Sequence, residues 1–302
     1  MKRNSFLLTF AKVLTNRLYQ QQTIMTKELL STMLLALVLL TAQGQTVVRG
    51  HIVNERSEGI EYVSIGFDED SVGVISDANG RFEVTIPKGR KKDLQFSHVS
   101  YYTKDVPYQE YAKGKELTVV LNDKVIELTE VVIGKKNKPK SIVGKGVPAP
   151  GLVGYGGPRE KASPDSPEGG ITFSCSKDYV ISDILLSVAK CDFKQCTVSF
   201  NLYEKRDGKY VNILQKPIYE IIKQENGKHT LDVRPEETLL LKRKKDYYLS
   251  VRVVDSDSPG YLYMKAYLKN GLYRRVVKGK QRKLPVCPAL RIKGYEAVTD
   301  LY

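Results

Sequence analysis

Residues 76–82 read SDANGRF and residues 96–101 read FSHVSY, and both motifs lie in a region of alternating apolar residues. Apolar side chains at every second position are typical of strands that bury one face. The runs are short and bounded by Gly, Asn, Asp or Pro, which favours tight turns and antiparallel pairing. The alternating positions are Val48, Gly50, Ile52, Val63, Ile65, Phe67, Phe82, Val84, Ile86, Leu94, Phe96, Leu117, Val119 and Leu121. The region therefore predicts a small all-β sandwich.

These motifs resemble those of the carboxypeptidase-regulatory-like domain, a transthyretin-like Greek-key sandwich. The pattern of that family runs G-x-V, then T-D-x-x-G-x-F, then F-S-x-x-G-Y. This chain has Gly50-His51-Ile52 and then the two motifs above, with Ser76 for the usual Thr and Ser100 for the usual Gly. The resemblance covers about residues 46–134, and we place the first domain at 45–134. It implies a fold and no activity, because function depends on sites and not on folds.

The first motif predicts a structural turn made by Asp77, Asn79 and Gly80. Asp77 is expected to accept hydrogen bonds from nearby backbone amides, and Gly80 is expected to take a positive φ. Asp and Asn oxygens also suit calcium. The later ligands of an EF-hand loop are missing, so we prefer the turn.

Residues 1–44 are predicted to be a leader that ends in a secretory signal peptide. Lys27 is followed by a mostly apolar core over residues 29–40, and small residues come just before Gln45. This order is that of a cleaved signal, and the core is shorter than the roughly 20 residues that a spanning helix needs. We expect initiation at Met25 and cleavage after Gly44. No Cys lies there to carry a lipid, so the mature chain is expected to be periplasmic or secreted, with outer-membrane association as an alternative.

The segment after the first domain has two parts. Residues 126–133 resemble the L-x-E-V-V-V stretch that follows this domain in Bacteroidetes-type TonB-dependent outer-membrane receptors. Only 169 residues follow Ile133, too few for the plug and large barrel of those receptors, so we do not expect the receptor function. Residues 135–170 are rich in Gly, Pro and Lys and are predicted to be a linker.

Residues 171–302 are predicted to form a second β-sandwich of jelly-roll type. Asn226-Gly227 and Asn270-Gly271 predict hairpins, because both central residues of a type I′ turn need positive φ. The region resembles the β-rich part that follows such domains in exported proteins, which implies no activity. The predicted strands are 171–175, 181–189, 196–203, 219–222, 227–233, 247–254, 261–267 and 272–277.

No catalytic residue, cofactor site or metal site is predicted. The three histidines, His51, His98 and His229, are far apart in the sequence, whereas metal sites need clustered ligands. No serine or cysteine lies in a recognisable nucleophile motif. We therefore predict that the chain is not an enzyme.

The four cysteines all fall in the predicted second sandwich and allow three disulfide pairings, among which the sequence does not select. Cys191 and Cys196 are close enough in sequence for a local disulfide. Free buried thiols are the alternative. The remaining two are Cys175 and Cys287.

Charge and aromatic content give the expected partners. The net charge is +14, and the basic runs at 135–140, 242–245 and 278–283 are expected to be solvated, with no nucleic-acid motif beside them. The chain has nineteen tyrosines and no tryptophan. The tyrosines can reflect the high strand propensity of this residue or can form surfaces that contact ligands and partners. We expect a non-catalytic binding or scaffolding protein that contacts an envelope protein or glycan through strand edges and Tyr-rich loops, with its oligomeric state open. The alternatives are an accessory component of an outer-membrane uptake or assembly system, and a glycan- or peptide-active hydrolase whose carboxylates converge only in three dimensions.

Overall fold

The computed structural model describes residues 25–27, 31, 46–68, 70–125, 132–133, 138–156 and 167–298. The chain divides into two units, Met1–Gln45 and Thr46–Tyr302. Apart from the helical residues 25–27 and 31, the predicted leader and its cleavage site lie outside the described residues. Among the described residues, no helix combines the length and the apolar character needed to cross a membrane.

The first sandwich is built from two small sheets. One sheet has the order β4-β1-β7, with β1 antiparallel to β4 and parallel to β7. The other has the order β3-β2-β5-β6 and is antiparallel throughout. The elements are β1 Thr46–Val53, β2 Ser64–Gly66, β3 Gly73–Ile75, β4 Arg81–Ile86, β5 Leu94–His98, β6 Tyr101–Val106, the short helix α1 Tyr108–Tyr111 and β7 Leu117–Val120.

The alternating residues of the sequence form the core of this sandwich. In β4 the pattern of exposed and buried side chains strictly alternates, with Phe82, Val84 and Ile86 inside. Phe82 and Phe96 meet edge to face, with 5.4 Å between ring centroids. The predicted sandwich is confirmed.

A larger sandwich follows, and one of its layers has nine strands. Its main order is β10-β19-β12-β23-β8, while β9, β16, β17 and β22 pair with members of that path. The strands are β8 Val132–Ile133, β9 Lys140–Val143, β10 Pro148–Gly156, β12 Tyr179–Cys191, β16 His229–Val233, β17 Leu240–Leu241, β19 Tyr261–Tyr267, β22 Cys287–Pro288 and β23 Leu290–Val298.

The opposite layer has seven strands in the order β14-β13-β18-β11-β20-β21, with β15 paired to β13. Long strands such as β18 lie in its centre. Alternate residues of β18 fill the core between the layers, and they are Tyr247, Leu249, Val251 and Val253. The strands are β11 Glu168–Ser174, β13 Gln195–Arg206, β14 Lys209–Asn212, β15 Ile218–Lys223, β18 Asp246–Ser256, β20 Gly271–Arg274 and β21 Arg282–Leu284. The all-β, two-sandwich fold is confirmed.

The structure differs from the predicted linker over residues 135–170. Lys140–Val143 pairs with β23, and Pro148–Gly156 pairs with β19. Val132–Ile133 also pairs with the end of β23. Gly and Pro are tolerated in the edge strands of a sheet, because the backbone groups on one side of an edge strand need no partner strand. The composition of residues 135–170 predicts a linker, but the strands described in this segment belong to the larger sandwich.

The two hairpin predictions are wrong. Asn226-Gly227 joins β15 to β16, and Asn270-Gly271 joins β19 to β20, and in both cases the two strands belong to different layers. The type I′ geometry occurs instead at Asp207 and Gly208, with φ of 47° and 81°. These two residues close the hairpin of β13 and β14.

Candidate functional site

The two sandwiches pack against each other through polar and aromatic contacts. The rings of Tyr62 and Tyr219 meet edge to face at 5.1 Å, and the Tyr62 hydroxyl donates to Asp255 Oδ2 at 3.3 Å. Nζ of Lys278, from the larger sandwich, donates to Oε1 of Gln95, from the smaller one. These contacts place a polar boundary between the two hydrophobic cores.

Close backbone packing brings the segment 275–281 against β3, an edge strand of the smaller sandwich. A Cβ atom on Gly73 would lie 2.0 Å from the carbonyl oxygen of Val277. Glycine is required there because no side chain fits. Covering an edge strand in this way also protects its unpaired backbone groups.

A cleft opens where the two sandwiches meet, and we call it the domain cleft. Its volume is about 380 Å³. The smaller sandwich contributes Gln95, Ser97 and His98, and the larger one contributes Arg252 and Tyr219 among others. Neither sandwich forms this site alone.

A second cleft, the loop cleft, runs beside the hairpin of β13 and β14 and the segment 275–284, and has a volume of about 820 Å³. The two clefts adjoin, since both are lined by Asp68, Tyr210, Val211, Arg274 and Lys278. Together they form an elongated depression.

His98 is neutral in this setting. Burial is the larger cause and the nearby charge of Lys124 the smaller cause that lower the pKa of His98 to about 4. The backbone N–H of Ser100 donates to Nδ1 at 3.2 Å, so Nε2 carries the proton and donates to the Tyr219 hydroxyl at 3.2 Å. The imidazole thus connects the two sandwiches and carries no charge at neutral pH.

An ion cluster lies behind the domain cleft. Glu168 is fully buried and pairs with Arg252, itself 4% exposed, and with Arg274. The Tyr203 hydroxyl donates to Oε1 of Glu168 at 2.8 Å, and Ser250 Oγ donates to the same oxygen. Burial alone would raise the pKa of Glu168, but the two guanidinium groups outweigh it and lower that pKa to about 2.

Arg252 keeps one donor without a partner. Its Nη2 binds Glu168, whereas its buried Nε has no hydrogen-bond acceptor among the described residues. Buried polar groups without partners are rare and costly in proteins. Arg252 also lines the domain cleft, but this Nε is itself enclosed by the protein.

Lys278 lies where the two clefts meet. It takes a φ of 59°, which is uncommon for a residue with a side chain. Burial lowers the pKa of its amine to about 8, an effect that Asp68 and Asp105 oppose and Arg274 reinforces. The amine is therefore mostly charged at pH 7.

The predicted turn residues lie in a separate place. Oδ1 of Asp77 accepts from the amides of Asn79 and Arg81 at 2.9 and 2.8 Å, and Gly80 has a φ of 78°. The Asn79 carbonyl accepts from Nε2 of His51 at 2.7 Å. This is the geometry of a capped turn, and these residues are not among those that line either cleft.

The sulfur atoms of Cys191 and Cys196 lie 4.0 Å apart as thiols, and all four cysteines are buried. A disulfide between this pair stays a prediction. Among the described residues, no group of three or more His, Cys, Asp and Glu side chains is arranged to hold a metal ion.

Burial predicts low thiol reactivity. It raises the pKa of Cys175 and of Cys287 to about 11 from an ordinary 9.0, which leaves about a hundredfold less thiolate at neutral pH. We expect a thiol reagent such as DTNB to react slowly with the native protein and rapidly in denaturant. The count in denaturant should be two if Cys191 and Cys196 are bridged and four if they are free. Rapid reaction of the native protein would contradict the burial.

The tyrosine pairs divide by position. Tyr247 and Tyr248 are 1% and 0% exposed and belong to the interior, so strand propensity explains them. Tyr102 is 53% exposed. The tyrosines that line the domain cleft are Tyr62, Tyr203, Tyr210 and Tyr219.

Sequence reasoning missed the cationic part of the site. Arg252 interrupts the apolar run 247–254, and a charge inside such a run is a signal that it needs a buried partner. That partner, Glu168, fell in the predicted linker. Lys278 is marked in the sequence only by its place in the basic run 278–283.

The architecture of the smaller sandwich and its motifs agree with one known family. Residues 48–133 match the CarboxypepD_reg-like domain. The CarboxypepD_reg-like domain thus supplies one wall of the domain cleft. A search of curated proteins gave no match for the chain.

Proposed function

We propose that this chain is an exported, non-catalytic binding or scaffolding protein of the bacterial cell envelope. The observation that carries the proposal is the domain cleft, a polar site whose walls come from a CarboxypepD_reg-like domain and a larger sandwich. Concave sites that lie between two structural modules are common places for ligands. The predicted signal peptide supports export.

The residues of the domain cleft favour binding over hydrolysis. A glycoside hydrolase normally uses two carboxylates on either side of the bond that it cleaves. Among the described residues that line the domain cleft, Asp68 is the only carboxylate. Lysine, arginine, histidine, tyrosine, serine, threonine, asparagine and glutamine side chains provide the rest of its polar groups, which suits recognition without turnover.

The test is gentle crosslinking of cells that express the full chain, followed by fractionation and mass spectrometry. We expect an N-terminus at Gln45 and a reproducible envelope protein among the crosslinked species. A stable complex of outer-membrane uptake or assembly components would identify the partner system. An intact Met1 or Met25 with only cytosolic neighbours would contradict the proposal.

A pair of matched variants tests whether the envelope crosslinks depend on the predicted signal peptide. Leu35→Arg places a charge in the apolar core of the predicted signal and is expected to abolish processing at Gln45 and the envelope crosslinks together. The control Thr15→Arg lies in the part of the leader before Met25 and is expected to change neither. Equal effects of the two changes would count against initiation at Met25.

A further inference from the structure

We propose that the domain cleft and the loop cleft together form a binding site for an acidic oligosaccharide, whose carboxylates contact Arg252, Arg274 and Lys278. This inference rests on the proposed binding function and gives it a ligand class. Its first support is charge. Four basic side chains line the domain cleft, and they are Lys124, Arg252, Arg274 and Lys278.

The loop cleft extends the positive charge. It adds Lys205, Lys209, Lys280 and Lys283. The carboxylates beside these eight basic groups are Asp68 and Asp246 on the walls, Glu168 behind them and Asp105 near Lys278. The described residues of the combined site therefore carry a net charge of about +4 at neutral pH, and such a depression attracts anions.

The second support is the donor capacity of Lys278, which lies where the two clefts meet. The ammonium of Lys278 has three donors, of which the structure assigns one to Gln95. Charge-assisted hydrogen bonds to a carboxylate are stronger than neutral ones, so a ligand carboxylate here would satisfy groups that the protein leaves unsatisfied.

The third support is the neutral lining. Ser97, Asn201 and Asn212 line the domain cleft and offer hydroxyl and amide groups that match sugar hydroxyls. Tyr210 lies on both clefts and presents a ring as well as a hydroxyl. A chain of sugars fits an elongated depression better than a flat membrane surface does.

The experiment is titration calorimetry of the mature chain with hexagalacturonate, with neutral maltohexaose as the matched ligand. We expect binding of the acidic sugar that weakens with added salt, and no binding of the neutral one. Lys278→Gln should weaken binding at least about tenfold, since it removes a charged donor. Lys283→Gln, at an exposed position of the loop cleft, should weaken it by about two- to fivefold. The control Lys228→Gln lies outside both clefts and should have no effect.

The pH dependence gives a second measurement. The charged groups that surround Lys278 are Asp68, Asp105 and Arg274, and Tyr210 lines the same cleft. Because the pKa of Lys278 is about 8, affinity should fall as the pH rises above that value and the amine loses its charge. Lys278→Gln should lose this dependence and keep its fold.

Three outcomes would overturn the inference. The first is that maltohexaose binds as tightly as hexagalacturonate. The second is that Lys228→Gln and Lys278→Gln lower the affinity for hexagalacturonate equally. The third is that anionic vesicles or inorganic phosphate bind tightly while hexagalacturonate does not bind. If the saccharide fails while envelope crosslinks persist, the proposed function stands and this ligand class does not. If neither saccharide binding nor envelope crosslinks are observed, the proposed binding function is wrong as well.

Discussion

Glu168→Gln is expected to lower the free energy of unfolding by about 3–5 kcal/mol, the usual cost of breaking a buried ion pair from one side. The amide keeps the shape of the side chain and can still accept from Tyr203 and Ser250. It leaves two largely buried guanidinium groups, those of Arg252 and Arg274, without their shared counter-charge. The loss should appear in urea unfolding of the protein.

The acid dependence of stability provides a specific signature of this cluster. The folded-state pKa of Glu168 is about 2, below its ordinary 4.5. The unfolded chain therefore binds more protons between these values, and stability is lost as the pH falls from about 4.5 towards 2. The Gln variant should lose less stability over this window. Glu225→Gln, at a residue whose side chain is 76% exposed, is the control and should stay within about 0.5 kcal/mol of the parent. Equal stability of Glu168→Gln and Glu225→Gln would contradict the role assigned to Glu168.

Gly73→Ala is expected to separate the two sandwiches locally and to destabilise the chain by about 1–3 kcal/mol. The new Cβ would lie 2.0 Å from the Val277 carbonyl oxygen and 2.9 Å from its carbon. Backbone atoms cannot rotate away as a side-chain tip can, so the segment that carries Lys278 must shift. We expect a lower melting temperature together with weaker binding of hexagalacturonate.

Gly151→Ala is the matched control for Gly73→Ala. No heavy atom lies within 4 Å of the Cβ position at Gly151, and this residue is also in a strand. It should retain the parental melting temperature and affinity. A Gly73→Ala protein that keeps both properties would show that the contact between β3 and the segment 275–281 is not needed for the site.

The smaller sandwich could be predicted from the sequence because its turns and strands depend on residues that are close together in the chain. Residues 76–82 form a turn whose hydrogen bonds stay within five residues, and β4 alternates between core and solvent. The last strand, β23, was missed even though Leu290 and Ile292 are buried and alternate with charged residues. Its period-two signal was present and could have been read.

The hairpin errors have a different cause. Asn-Gly is a good local turn signal, but it does not tell whether the next strand returns to the same sheet or crosses to the other layer. At Gly271 the reason for glycine is space, since a Cβ atom would lie 2.4 Å from the Val286 carbonyl oxygen. Such an approach depends on the fold and leaves no mark in the local pattern.

The site itself depends on residues that are distant in sequence. Gln95 and Lys278 are 183 positions apart, and Glu168 and Arg274 are 106 positions apart. No spacing rule links them, so the sequence indicated basic character without indicating a cleft. Their convergence follows from packing the CarboxypepD_reg-like domain against the larger sandwich.

Hydrogen–deuterium exchange of the protein, with and without hexagalacturonate, tests most directly whether the cleft between the two sandwiches is the binding site. The account predicts simultaneous protection of residues 94–99 in the smaller sandwich and of residues 197–212 and 271–284 in the larger one. Protection confined to one sandwich, or to the exposed surface around Tyr102, would contradict it.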